Sequence, residues 1–173
     1  MDFNAHMKNT AYLDKAADVR QMYLMEHGFP VEEFRRRRFG PVVRKDEVEY
    51  FSEIHLQEQI VVTYALAGQS QDGSRFLLRH EFYRPDGRLS ATVTSSGGWL
   101  HLDERHLIAP PAELLAAMNS LERTADFAEL PSSLRARADP PGSAPAPQKP
   151  PSPIRLEKGI RLSFQKISDI LFG

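Results

Sequence analysis

Cysteine is absent from the 173 residues, which excludes disulfides, thiolate chemistry and Cys-ligated metal sites together. Neither sign of charge is in excess: 22 Lys and Arg stand against 23 Asp and Glu, a net of -1. Such a balance gives no long-range attraction for nucleic acid or an acidic membrane. Long apolar runs are missing as well. The longest, 60–68, is broken by Thr63 and falls far short of the roughly 20 residues a spanning helix needs. Asp2 stands where the basic n-region of a secretory signal would begin. The expectation is a soluble, cytoplasmic protein with neither nucleic acid nor membrane as a partner. His55, His80, His101 and His106 are scattered, with no i, i+4 pair and no H-x-x-E spacing, so no metal and no cofactor is expected.

What is present reads as one domain with extras. From Asn9 to His27, Tyr12, Ala16, Val19 and Tyr23 recur at helical spacing. Asn9 or Thr10 is placed to cap the start, Gly28 to supply the left-handed residue that ends the helix, and Pro30 to prevent continuation. A loop is expected over 29–39, then strands over about 42–54, 59–67, 75–84 and 89–102. Gln71-Asp72-Gly73 and Pro85-Asp86-Gly87 are short turn sequences, so the last three strands should form an antiparallel meander. Gly97 and Gly98 suggest close packing against a neighbouring backbone, and Trp99, the one tryptophan, an anchor of the core or of a dimer interface. A short helix over about 111–123 closes the domain. One long helix followed by a meander is an α+β arrangement in which an antiparallel sheet wraps the helix to bury its apolar stripe.

Beyond residue 123 the composition changes. Eight of the thirteen prolines fall between Pro131 and Pro153, so 124–153 reads as a Pro-rich linker that builds no core. The segment 154–173 is an apolar tail, expected to cover a region of the sheet or pocket. Its alternative is a tail with no fixed position. The stretch Arg35 to Arg38 is the one dense basic cluster, and it has two readings: a solvated loop, or a holder of nucleotide phosphates. Thr94-Ser95-Ser96-Gly97-Gly98 lacks the G-x-S-x-G spacing of a serine nucleophile elbow.

An acidic residue, a loop and an Asn-opened helix at the start of the chain form a corner suited to acyl chemistry. A carboxylate supplies a base or nucleophile, and the first helical N–H groups can polarise a carbonyl. The run Met1 to Tyr12 resembles the signature of hotdog-fold acyl-CoA thioesterases of the hydroxybenzoyl-CoA and short-chain acyl-CoA type, roughly D-x-D-x-x-G-H-V-N-N-x-x-Y. Asp2, His6, Asn9 and Tyr12 fall in register with it, while Ala5 and Lys8 depart from it. The chain begins where the family would already have completed a first β-strand. The resemblance spans about 2–123 and implies a hotdog fold and hydrolysis of an acyl-CoA to free acid and CoA. Asp2 is then the catalytic carboxylate, as general base or nucleophile. His6, Asn9 and Tyr12 become substrate-binding residues, although Asn9 is equally explained as a cap and Tyr12 as core. It further implies a homodimer, or a dimer of dimers, built by joining sheets edge to edge. The alternative is a hotdog module that lacks the first strand and binds acyl groups or assembles without turnover.

Overall fold

Helix α1 (Asn9–Glu26) forms where the periodicity places it, and Tyr12, Ala16, Val19 and Tyr23 are buried along one stripe. The computed structural model to which it belongs describes residues 6–55 and 57–134. Gly28 ends the helix at φ +85°, a conformation that costs a residue without Cβ little. At the other end the N-cap is Lys8, with no side-chain hydrogen bond; Asn9 is already helical and exposed, and does not cap.

The segment expected as a loop contains a second helix, α2 (Val31–Arg36). Pro30 sits at its N-cap, Glu32 and Glu33 occupy its first turn, and Arg35 and Arg36 its last. This charge order opposes the helix dipole at each end, and it is visible in the sequence.

The sheet has seven strands: β1 (Phe39–Tyr50), β2 (Val61–Val62), β3 (Ala65–Ser70), β4 (Arg75–Tyr83), β5 (Leu89–His101), β6 (Leu107–Ile108) and β7 (Arg123–Leu130). The main order is β1-β5-β4-β3-β7, with β2 on β4 and β6 on β5. The three-stranded meander β3-β4-β5 is antiparallel, as the turns require, with Gly73 at φ +69° and Gly87 at φ +79°. Helix α3 (Ala112–Asn119) returns the chain to the sheet. There β7 joins β3 in parallel and takes the position beside it. The domain therefore continues past the boundary drawn at 123, through a strand in the stretch assigned to the linker. Its sequence, Arg-Thr-Ala-Asp-Phe-Ala-Glu-Leu, shows no clean two-residue alternation, because the strand bulges between its first and later contacts with β3. Asp2, residues 135–153 and the tail 154–173 lie outside the described residues.

Alternation on β4 separates the two faces of the sheet. Phe76, Leu78, His80 and Phe82 are fully buried on the core face, where Phe82 meets Tyr12 of α1, while Arg75, Leu77, Arg79, Glu81 and Tyr83 point the other way. Gly97 is required by close approach: a Cβ there would lie 2.2 Å from the Val42 carbonyl oxygen and 2.8 Å from the Phe76 ring. Beside it β1 carries a bulge, Arg44 being the extra residue between the pairs Val43–Gly97 and Lys45–Ser96. Trp99 anchors the core among Phe34, Phe39 and Phe76, with ring centroids 5.3–6.4 Å away.

Candidate active site

The start of α1 is held against the segment that follows β1. The Met7 N–H donates to the Ile54 carbonyl at 2.9 Å, and His6 and His55 form an isolated antiparallel bridge. Their rings meet edge to face at 5.1 Å, and His6 Nε2 lies 3.2 Å from Glu53 Oε2. His55 is thus drawn into the corner from 49 positions away, which no local pattern signals. One layer deeper, Glu58 accepts from the His55 N–H at 2.9 Å and from Arg84 Nε at 2.6 Å. The His55 N–H, aided by Arg84 and opposed by burial, holds the Glu58 carboxyl below the usual range.

Of the four residues picked out by the motif, the structure brings three to this corner. His6 is half-buried, Asn9 is exposed on the first turn of α1, and Tyr12 sits one turn further in, 3% exposed. Tyr12 packs edge-on against Tyr50 and Phe82, with ring centroids 5.2 and 5.1 Å away. Burial, then Tyr50 and Glu58, push its phenol up, so it stays protonated at neutral pH. Asp2 lies outside the described residues. The corner also exposes Tyr50 and Phe51 at the end of β1, more than half accessible, next to the edge of that strand not paired with β5.

The basic cluster is already committed to carboxylates. Arg36 and Arg37 both bind Glu33, at 2.6 and 2.5 Å, and Arg38 binds Asp103. Arg36 first, then Arg37, hold the Glu33 carboxyl at about 2. Charges matched in this way leave only Arg35 of the four without a partner among the described residues, which weakens the phosphate-holding reading.

Deeper in the core, His80 is fully buried and stacks on Tyr64 at 4.9 Å. Burial, reinforced by Arg20, pushes its imidazole down to about 3. It is a neutral core residue. Among the described residues no three His, Asp or Glu side chains are grouped so as to hold a metal ion, and no helix is long and apolar enough to cross a membrane.

Comparison with known proteins supplies the remaining evidence. No curated protein sequence matches the chain. Several solved structures share its fold. A 1,4-dihydroxy-2-naphthoyl-CoA thioesterase from Synechocystis is 15% identical with a TM-score of 0.63, over 70% of this chain and 88% of that one. A Staphylococcus aureus protein solved in complex with CoA is 22% identical with a TM-score of 0.64, over 82% of this chain and 88% of that one. A probable thioesterase from Escherichia coli is 20% identical with a TM-score of 0.59, over 70% of this chain and 90% of that one. At these identities the likeness establishes the hotdog fold. A family model decides the kinship: that of the thioesterase-like superfamily matches residues 1–137, and the chain belongs to that superfamily.

Proposed function

We propose that this protein is a cytoplasmic acyl-CoA thioesterase that hydrolyses the thioester to a free acid and CoA. The observation that carries the reading is the family match over 1–137 together with Asp2, His6, Asn9 and Tyr12 spaced as in the signature at the start of α1. Asp2 acts as general base, removing a proton from the water that attacks the carbonyl, or as nucleophile, forming an acyl-enzyme anhydride that water then opens. In either case the C–S bond breaks and the CoA thiolate takes up a proton. The first N–H groups of α1, at the positive end of the helix, stabilise the oxyanion. Asn9 and His6 border the thioester, and Tyr12 forms the wall beneath it.

The working unit is a homodimer, with two copies joined along the β1 edge that β5 leaves open and the exposed Tyr50 and Phe51 covered in the process. Neighbours described as dihydroxynaphthoyl-CoA and gentisyl-CoA thioesterases make aromatic acyl-CoAs the first substrates to try. The test is thiol release from aromatic, short and long acyl-CoAs, with Asp2→Asn alongside. Turnover should fall by about 100-fold or more in the variant, with unchanged circular dichroism and an unchanged dimer by light scattering. Equal turnover in the two proteins would remove Asp2 from the mechanism.

A further inference from the structure

On the face of the sheet turned away from the core, that of Arg75, a groove of about 530 Å³ opens beside the bare backbone of Gly97 and Gly98. Val42, Leu107, Leu130 and Pro131 give it an apolar lining, and its charged groups are Arg44 and Arg75, with no acid among them. Neither guanidinium has a carboxylate or hydrogen-bond partner among the described residues, whereas Arg79 and Arg84 are taken up by Asp126 and Glu58. A second hollow shares Leu130 and Pro131 with this groove and has the opposite sign: Asp72 and Glu129 line it, and no basic residue does. The chain leaves the described domain at the rim of both. Ser132 donates to Asp72, and the Ser133 hydroxyl to the Ser74 hydroxyl at 2.8 Å, which fixes the point of departure.

The sequence beyond that point carries the complementary order of charge. Residues 155–166 hold Arg155, Lys158, Arg161 and Lys166 against the single acid Glu157, while 167–173 hold one acid, Asp169, no base, and the apolar Ile167, Ile170, Leu171 and Phe172. Apolar side chains this dense gain by leaving water, and the Pro-rich arm before them offers no core to enter. We propose that 167–172 docks in the groove of its own chain, with Ile170, Leu171 and Phe172 on the apolar lining and Asp169 at the unpaired guanidinium groups, while the basic stretch before it crosses the acidic hollow. The 32 residues 135–166 span roughly 30 Å as a flexible chain, ample for a groove whose rim is the point of departure. They hold tail and groove at an effective concentration on the order of millimolar, so that even a contact of modest intrinsic affinity forms within the chain. The assignment is independent of the acyl-CoA reading, because it concerns the other face of the sheet and needs no turnover.

Because the chain has no cysteine, introduced thiols report without background. In the full chain, Leu171→Cys is combined either with Val42→Cys at the groove or with Met25→Cys, a residue 41% exposed on α1, and each protein is oxidised with glutathione disulfide at low concentration. Mass spectrometry should find the 42–171 disulfide within one chain, formed about tenfold faster than the 25–171 disulfide. Asp169→Lys or Glu129→Lys should slow the 42–171 reaction several-fold, and Asp14→Lys on α1 should leave it unchanged. A second readout needs no thiol: trypsin should cut after Lys166 about tenfold more slowly in the unaltered chain than in Leu171→Glu, since cleavage follows the population of the undocked form. Equal rates for the two thiol pairs, or equal cleavage of the unaltered chain and Leu171→Glu, would mean that the tail has no seat in the groove and would overturn the proposal. A 42–171 disulfide that joins two chains would give the groove to another copy's tail and overturn the assignment to the same chain.

Discussion

The two ends of α1 are fixed to the sheet by different means. At the C-terminal end, the Tyr23 hydroxyl donates to the Ala117 carbonyl at 2.6 Å, and its ring meets His27 and Tyr64. Beyond it, Phe29, Phe34, Phe39 and Trp99 form a continuous run of buried rings. At the N-terminal end, ahead of Tyr12 and its packing on Tyr50 and Phe82, the described ties are the His6–His55 bridge with its Met7 to Ile54 backbone hydrogen bond, the edge-to-face contact of the two histidine rings and an ion pair whose Glu53 is 65% exposed. The end without recognisable chemistry is tightly packed, and the end that carries the thioesterase signature is lightly tied. This division would suit the proposed thioester site, with rigid packing locating the helix and the more lightly tied corner left to meet the substrate.

Trp99→Ala would break this contrast most severely. The ring is 1% exposed and contacts three other rings, so its removal leaves a cavity that neighbouring strands cannot fill, at a cost of about 3–5 kcal/mol. A urea unfolding curve should show the midpoint falling steeply with little change in slope. A loss below about 1 kcal/mol would mean that the aromatic cluster does not anchor this end.

Asp72 tests the same end with a polar group. It accepts from the Ser70 hydroxyl at 2.6 Å, the Ser74 hydroxyl at 2.8 Å and the Ser74 N–H at 3.0 Å, and also from the Ser132 hydroxyl. The β3–β4 turn is thereby tied to the chain leaving β7. Burial pushes its carboxyl up, but the hydrogen bonds from Ser132, Ser70 and Ser74 outweigh that effect and hold it at about 2, below the ordinary 3.8. A depressed value means that the ionised form stabilises the fold: the contribution is complete above the unfolded value and is lost as pH falls through about 2. Asp72→Asn should cost about 2 kcal/mol at neutral pH. The gap from the unaltered chain should narrow as pH drops from about 4 to about 2. A gap constant across that window would show that the charge is not the source.

Much of this architecture is legible in the chain before folding. Tyr12, Ala16, Val19 and Tyr23 announce α1, and Gly73 and Gly87 mark two tight turns, because both signals depend on residues close in sequence. Gly97 could be read as a point of close approach, since only a missing side chain fits there. The rest depends on distant partners. His55 reaches His6 only because the chain turns back after β1, Asp72 gathers serines from the end of β3, the β3–β4 turn and the segment after β7, and β7 earns its place by pairing with β3 rather than by its own pattern. In α2 the signal is local but shares its residues with the run of arginines: Glu32 and Glu33 before Arg35 and Arg36 are a charge order for a helix, and Glu33 pairs with Arg36 and Arg37, taking up charge that a phosphate site would need. The catalytic assignment of Asp2 rests on motif spacing alone, which is why its substitution comes first at the bench.

The smallest effect is expected where the molecule is most loosely tied. Glu53→Gln removes the carboxylate beside His6 Nε2 but leaves the Met7 to Ile54 backbone hydrogen bond and the edge-to-face contact of the two histidines in place. A pair so exposed gains little Coulomb energy, loses side-chain entropy on forming and is screened by salt, so the change in stability should be within about 0.5 kcal/mol. Urea unfolding at low and high salt separates two cases. A small change that shrinks further with salt fits a surface contact that only orients His6. A loss above about 2 kcal/mol, insensitive to salt, would mean that the corner is held as firmly as the aromatic end, and the contrast between the two ends of α1 would fail.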